Sequence, residues 1–343
     1  MKIIIPMAGR GSRLRPHTLT IPKPLLPIAG KPIVQRIVED LSNSLTQPVD
    51  EVAYVIGDFG SAVEDQLRQI AESIGAKCSI YYQDEPLGPG HAIFCAEPSL
   101  SGNCIVAFAD TLFKADFSFN TLEDGVIWVQ KVANPASFGV VKVGDDQYIS
   151  DFVEKSPVFV SDLAIVGIYY FSNGQLLADT LRHIITNDIR DKGEYQITTA
   201  LELLKNQGIK FRPANIEEWL DCGNKNNVVN TNRRMLDIKQ HSEKLLSDNI
   251  HLENAVVIPP CYIGKDVIIR NSVIGPYVSL GSNTTVEQSV IGNSIIQEEA
   301  VIRNANLYDS MLGYKVEYQG DKSSLSLGDY SSYEKSFAEK ADT

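Results

Sequence analysis

Residues 2–16 read Lys2-Ile3-Ile4-Ile5-Pro6-Met7-Ala8-Gly9-Arg10-Gly11-Ser12-Arg13-Leu14-Arg15-Pro16. A short apolar run ends at a turn with two glycines, which reads as a strand feeding a loop. The segments that follow alternate. Ile33, Ile37, Leu41 and Leu45 recur at i, i+4 with Pro32 at a first helical position, so 33–45 reads as a helix. Residues 51–56 read as a strand, and Val63, Leu67, Ile70 and Ile74 mark a helix that Gly75 closes. Residues 78–83 read as a strand, 90–96 as a helix, and 104–109 as a strand ending at Asp110. Alternation with short connections implies parallel strands and right-handed crossovers. Such sheets bind ligands at the carboxyl ends of their strands. The loop at 8–15, the turn at 83–90 and Asp110 therefore fall on one edge.

Further along, 126–132, 138–143, 148–153 and 164–171 read as strands, and 174–187 and 198–206 as helices. A polar helical stretch near 224–247 reads as a connector. After it the chain changes character. Ile263, Ile269, Ile274, Leu280, Val286, Ile291, Ile296 and Ile302 step by five or six residues, several of them followed by glycine. Helical spacing does not fit that pattern. A period near six suits a three-sided parallel β-helix that turns one aliphatic residue inward per side; the competing reading is a small irregular β domain. The expected division is 1–230, a connector at 231–250, the β-helix at 251–328 and a loose polar tail at 329–343.

The chain has 343 residues, 43% hydrophobic and 22% charged, enough for a sizeable core in more than one domain. Lys+Arg 31 against Asp+Glu 43 leaves a net charge of -12, which repels nucleic acid and anionic membrane. Five cysteines, an odd count without CxxC spacing, point to free thiols in a reducing cytoplasm rather than to disulfides or zinc. No apolar run is long enough to span a membrane, and the N-terminus lacks a signal-peptide pattern.

An anionic ligand in so acidic a chain needs a local basic cluster, and Arg10, Arg13, Arg15 and Lys23 supply the densest one. Gly9 and Gly11 let backbone N–H groups approach an anion, and the arginines add forked donors. Prolines at 16, 22, 24 and 27 stiffen the segment that presents Lys23. Leu14 stands where a dinucleotide fingerprint would place its third glycine, and no Gly-Lys-Ser/Thr follows, so neither of those two phosphate loops applies.

Gly9–Pro16 with Lys23-Pro24 resembles the GxGxRL…KP motif of sugar-phosphate nucleotidylyltransferases, and residues 1–230 are similar to the glucose-1-phosphate thymidylyltransferase group in particular. The resemblance implies an α/β fold, a Rossmann-like mixed, mostly parallel sheet flanked by helices, with a C-terminal left-handed parallel β-helix. It implies transfer of a nucleotidyl group from dTTP or UTP to a sugar 1-phosphate, glucose 1-phosphate first, by Mg2+-assisted in-line displacement. Ala8, Gly9, Gly11 and Ser12 would wrap the triphosphate, with Arg13 and Lys23 neutralising it. Tyr82–Ala92 resembles the base-reading turn, giving Gln83 and the Gly88 backbone the nucleobase, while His91 reads as a helix-start or packing residue. Asp110 and Asp221 would hold Mg2+, within segments whose Thr111 and Cys222 depart from the family's types. Gly139, Glu154, Gly167 and Glu194 would take the sugar phosphate, and Lys155 the attacking phosphate; Ser156 precedes Pro157 where Glu-Lys-Pro is usual. Small-molecule substrates and a homo-oligomer complete the expectation. Two other readings compete: a catalytically silent scaffold, and a bifunctional enzyme whose β-helix transfers an acyl group. None of the five histidines lies within the repeats at 255–320, which disfavours the second.

Overall fold

The computed structural model describes residues 1–115 and 119–320. The tail expected at 329–343, and the last residues of the expected β-helix from 321, lie outside the described residues.

Four strands, β1 (Lys2–Pro6), β2 (Glu51–Ile56), β3 (Lys77–Tyr82) and β4 (Cys104–Ala107), run parallel in the order β3-β2-β1-β4. The apolar run at 3–5 is continuous because both faces of this sheet are covered. Ile3 and Ile5 pack into one core with helices α1 (Ile33–Ser44) and α2 (Ser61–Ser73). Ile4 points into a second core with α3 (Pro89–Cys95), α4 (Gly174–Thr186) and α5 (Ile197–Asn206).

Beyond β4 the chain makes β5 (Thr111–Lys114), β6 (Gly125–Lys131), β7 (Gly139–Val143), β8 (Ile149–Glu154) and β9 (Leu163–Phe171). β9 is antiparallel to β4 through Ile168–Phe171, yet touches β7 through Ala164 and Val140. The sheet splits between these two neighbours. At the split Gly167 has φ +90, and its carbonyl takes the Phe108 N–H at 3.0 Å. The strand expected over 104–109 therefore ends at Ala107. β10 (Phe211–Asn215) adds to β6, and β11 (Glu218–Asp221) pairs with β5 in a separate antiparallel ribbon. The sequence reading contained none of β5, β10 and β11.

Helix α6 (Lys225–Lys239) follows at once and is shorter than the helical connector expected to 247 or 250. Residues past Gln240 leave the helix, and Leu246 bridges to Ile263 on the next domain. From Ile250 onward the described strands stack in parallel sheets of five, four and four, consistent with a left-handed β-helix. All eight aliphatic positions of the repeat are buried, at 0% or 1% exposure. Corners are made by residues with positive φ, among them Asn254, Asp266, Asn271, Asn283, Asn304 and Asp309. Asn and Asp tolerate that backbone better than other side chains, so the corner chemistry matches the geometry.

The β-helix docks against the first domain. Asn232 of α6 is fully buried, and its Oδ1 accepts from the Ala29 N–H and from Ser279 Oγ, both at 2.8 Å. A Cβ at Gly30 would stand 2.1 Å from the Tyr262 ring, so only glycine permits this contact. Ile295 and Met311 join the core that contains α1 and α6.

Candidate active site

Two adjoining cavities open along the carboxyl edge of the sheet. The first, of about 540 Å³, is lined by Ala8, Gly9, Gly11, Ser12, Arg13, Lys23, Gln83, Gly88, Asp110 and Glu194. The second, of about 640 Å³, is lined by Arg13, Asp110, Gly139, Glu154, Lys155, Gly167, Glu194 and Asp221. Arg13, Asp110 and Glu194 border both. The loop after β1, the turn after β3 and the end of β4 meet on the edge that strand direction dictates.

Two glycines shape the first cavity by close approach. Gly11 has φ +80, and a Cβ there would lie 2.5 Å from Lys23 Cβ. Gly88 has φ +115, and a Cβ would strike Glu194 Cβ at 2.8 Å. The Lys23 N–H donates to the Arg10 carbonyl at 3.2 Å, tying the proline-stiffened segment to the glycine loop. Lys23 is 7% exposed, and its ammonium stands 3.7 Å from Asp110 Oδ2. Its charge is thus delivered inside a cavity rather than left on the surface. Arg10 also lines the first cavity, and it donates to the Asp58 carbonyl at 3.0 Å and lies over the Phe59 ring. Arg15 is exposed and borders neither cavity.

The two aspartates come together through the β5–β11 ribbon. Thr111 pairs with Asp221, and the Cys222 N–H donates to the Asp110 carbonyl at 3.3 Å. Asp221 Oδ1 accepts from the Gly223 N–H at 2.7 Å, and its other oxygen accepts from Asn227 on α6. The atypical Thr111 ties the ribbon, since its hydroxyl donates to the Leu220 carbonyl at 3.1 Å. Burial pushes the Cys222 thiol up to about 12, so it remains a neutral packing group beside the carboxylates. Among the described residues no group of three or more His, Cys, Asp or Glu converges. Two carboxylates on adjacent chain ends, beside a cavity lined by Arg13 and Lys23, nevertheless fit Mg2+, which takes one or two carboxylates and fills the remainder with phosphate oxygens and water.

In the second cavity Glu154 is nearly enclosed, its side chain 9% exposed. It accepts from Thr198 Oγ1 at 3.1 Å, and Lys155 Nζ stands 3.5 Å from its other oxygen. A Cβ at Gly139 would fall 2.9 Å from Glu154 Oε2, so glycine leaves room for that carboxylate. Lys155 itself has φ +42. The kink turns the Glu154 and Lys155 carbonyls toward one cation, Lys192 Nζ, at 2.8 and 2.5 Å. Phe138 and Trp219 pack with ring centroids 5.0 Å apart on the same wall. Burial raises the pKa of Tyr169 strongly, and the Glu154 and Asp110 carboxylates add to the effect.

A family profile for nucleotidyl transferases matches residues 2–238. The chain belongs to the nucleotidyl transferase family. It is 29% identical over 270 residues to the bifunctional protein GlmU of Methanococcus maripaludis, covering 76% of this chain and 62% of that protein. The chain thus spans only about three fifths of the length of the GlmU relatives it matches. It is 30% identical over 285 residues to the mannose-1-phosphate guanylyltransferase catalytic subunit beta of Danio rerio, covering 78% of this chain and 74% of that one. The low-salt glycan biosynthesis nucleotidyltransferase Agl11 of Haloferax volcanii is 29% identical over 265 residues, with 75% and 72% covered. Among solved structures, a Bacillus anthracis chain titled a putative glucose-1-phosphate thymidylyltransferase, in complex with sucrose, superposes with TM-score 0.57 at 22% identity. That match covers 67% of this chain and 93% of the other and establishes the shared fold.

Within this nucleotidyl transferase the supporting contacts are what sequence reasoning missed. Thr198, Lys192, Gln196 and Asn227 each hold a site carboxylate or its backbone, and Gln196 Nε2 donates to Glu194 Oε2 at 3.0 Å. The one available signal was the run from Arg190 to Thr198, which surrounds Glu194 with polar residues before a helix.

Proposed function

We propose that the chain transfers a nucleotidyl group from dTTP or UTP to a sugar 1-phosphate, glucose 1-phosphate foremost, releasing pyrophosphate. The supporting observation is the pair of adjoining cavities that share Arg13 and Asp110, with a glycine loop and Lys23 in one and Glu154-Lys155 in the other. A triphosphate in the first and a sugar phosphate in the second would meet at that shared border.

The sugar 1-phosphate oxygen is already anionic, so its attack needs no general base. It forms a bond to the α-phosphorus while the bond to the bridging oxygen breaks, and the electron pair leaves with pyrophosphate. The protein's part is positioning and charge stabilisation. Loop N–H groups and Arg13 hold the triphosphate, Lys23 faces the phosphates that leave, and Lys155 aligns the attacking phosphate. Glu154 and Glu194 accept from sugar hydroxyls, and Gln83 with the Gly88 backbone meets the base. Mg2+ held by Asp110 and Asp221 would supply positive charge to the phosphate oxygens.

On this reading residues 1–230 form the catalytic domain, and the chain works in the cytoplasm on small-molecule substrates. No described helix is long and apolar enough to cross a membrane. Self-association through the β-helix belongs to the same proposal, because among the described residues the strands Ile250–Glu253 and Glu317–Gln319 each pair with a strand on one side only; sedimentation velocity reads it.

Pyrophosphate release is the deciding assay. The purified chain is supplied with Mg2+, each of dTTP, UTP, GTP, CTP and ATP, and glucose, mannose, galactose or N-acetylglucosamine 1-phosphate. Release with dTTP or UTP and glucose 1-phosphate is expected. Release confined to another pair would correct the substrates, and none with any pair would overturn the reaction.

A further inference from the structure

Gln83 leaves the end of β3 and borders the nucleotide cavity, while His91 stands behind it on the first turn of α3 and borders neither cavity. Gln83 Nε2 lies 3.2 Å from the Gly88 carbonyl oxygen and 3.1 Å from His91 Nδ1. The carbonyl only accepts, so the atom facing it must be the amide nitrogen; the flipped amide would set oxygen against oxygen. An amide nitrogen only donates, so Nδ1 must be accepting. The imidazole is therefore neutral with its proton on Nε2. Both amide hydrogens of Gln83 are then engaged, which leaves Oε1 as the atom to meet a ligand.

We propose that His91 is a positioning residue for nucleobase recognition: by accepting from Gln83 it locks the amide with Oε1 toward the cavity, which favours a base that presents a ring N–H there. The imide of thymine or uracil has such an N–H, and so does the lactam of guanine. Adenine and cytosine carry a ring lone pair at that edge, which repels the locked oxygen, and can donate to it only by shifting to present their exocyclic amino group. The inference rests on the glycine-loop cavity being the nucleotide site.

The lock is sensitive to protonation. A cationic His91 would turn an Nδ1–H onto the amide N–H, and the amide cannot satisfy that cation and the Gly88 carbonyl together. Burial lowers the pKa of His91 below its ordinary 6.5, and Glu85 in the turn opposes the shift. From the opposite side the Tyr195 ring stands 6.5 Å away, its hydroxyl bonded to Asp188 and Arg190. The α3 neighbours Pro89, Gly90, Ala92, Ile93, Phe94 and Cys95 carry no charge. Nucleotide affinity should thus be complete above the His91 pKa and fall as pH drops through it, on the acid side of 6.5.

The test is calorimetric binding of dTTP, UTP, GTP and ATP to the full chain and to His91→Ala and His91→Asn, between about pH 5 and 8. His91→Ala should weaken dTTP and UTP by about three- to tenfold, the worth of one orienting hydrogen bond, and shrink their advantage over ATP. His91→Asn keeps an acceptor near the Nδ1 position but cannot titrate. It should bind like wild type at the alkaline end and lose part of the acid-side decline. The nucleotide's own phosphate titrates in both proteins, so their difference isolates the histidine. A folded His91→Ala with unchanged affinity and base preference would overturn the proposal, as would a His91→Asn pH profile matching wild type. A wild-type chain that binds no nucleotide at all would instead remove the nucleotide site on which the inference stands.

Discussion

The first 239 residues and the β-helix bury apolar side chains equally well and use their polar ones in opposite ways. In the β-helix each role is repeated: Ile269, Val286 and Ile302 occupy one inward column, and Glu253, Arg270, Glu287 and Arg303 form one outward ladder of ion pairs. In the first domain the site side chains recur at no fixed spacing. Lys23, Asp110, Glu154 and Asp221 each arrive on a different segment, and each has its own retaining contact. Periodic structure spreads stability over many equivalent residues, whereas the split sheet concentrates chemistry in single ones.

The sharpest way to break this contrast is Asp110→Asn, with Asp221→Asn beside it. Turnover in the pyrophosphate assay should fall by about 10²–10³ while the unfolding midpoint stays put, because one preorganised charge is lost and no packing changes. A comparable loss of stability would mean that the site carboxylates also hold the fold. The converse test is Ile269→Ala in the β-helix column. It should cost about 2–5 kcal/mol of stability, read by urea unfolding, with turnover unchanged at low temperature. A steep loss of activity there would show that the two regions are not separable. Gly11→Ala sits between the extremes: its Cβ would press on Lys23 in a positive-φ turn, so turnover should drop on the order of tenfold with a stability cost of about 1–2 kcal/mol. The mildest change is Asn271→Val at a β-helix corner, φ +49, which should cost about 1 kcal/mol with normal turnover.

How much of this was legible follows the same contrast. The eight inward positions of the β-helix could be read from spacing because every coil imposes the same burial on the same place. The loop at 8–15 and Lys23 stood out because basic residues and glycines cluster there in an acidic chain. Strands β10 and β11 were not legible: Pro213 and Arg212 in one, Glu218 and Asp221 in the other, spoil any alternation, and both strands lie at edges where such residues are tolerated. The retaining contacts were hidden by distance along the chain. Thr198 is 44 residues from Glu154, and Lys192 is 37 from the Lys155 carbonyl it fastens. His91 read as a packing residue because nothing in its neighbours announces a tautomer; that follows only from the carbonyl of Gly88.

The ion-pair ladder of the β-helix spaces Glu253, Arg270 and Glu287 at 17 residues and Arg303 at 16. A side that loses one residue at a corner still closes, but one lost within a strand would swap its inward and outward faces. Length in this part of the chain is therefore quantised. Insertions and deletions here should survive only at corners or as whole coils, so natural variation within the strands of this region should come in steps of one turn of the prism.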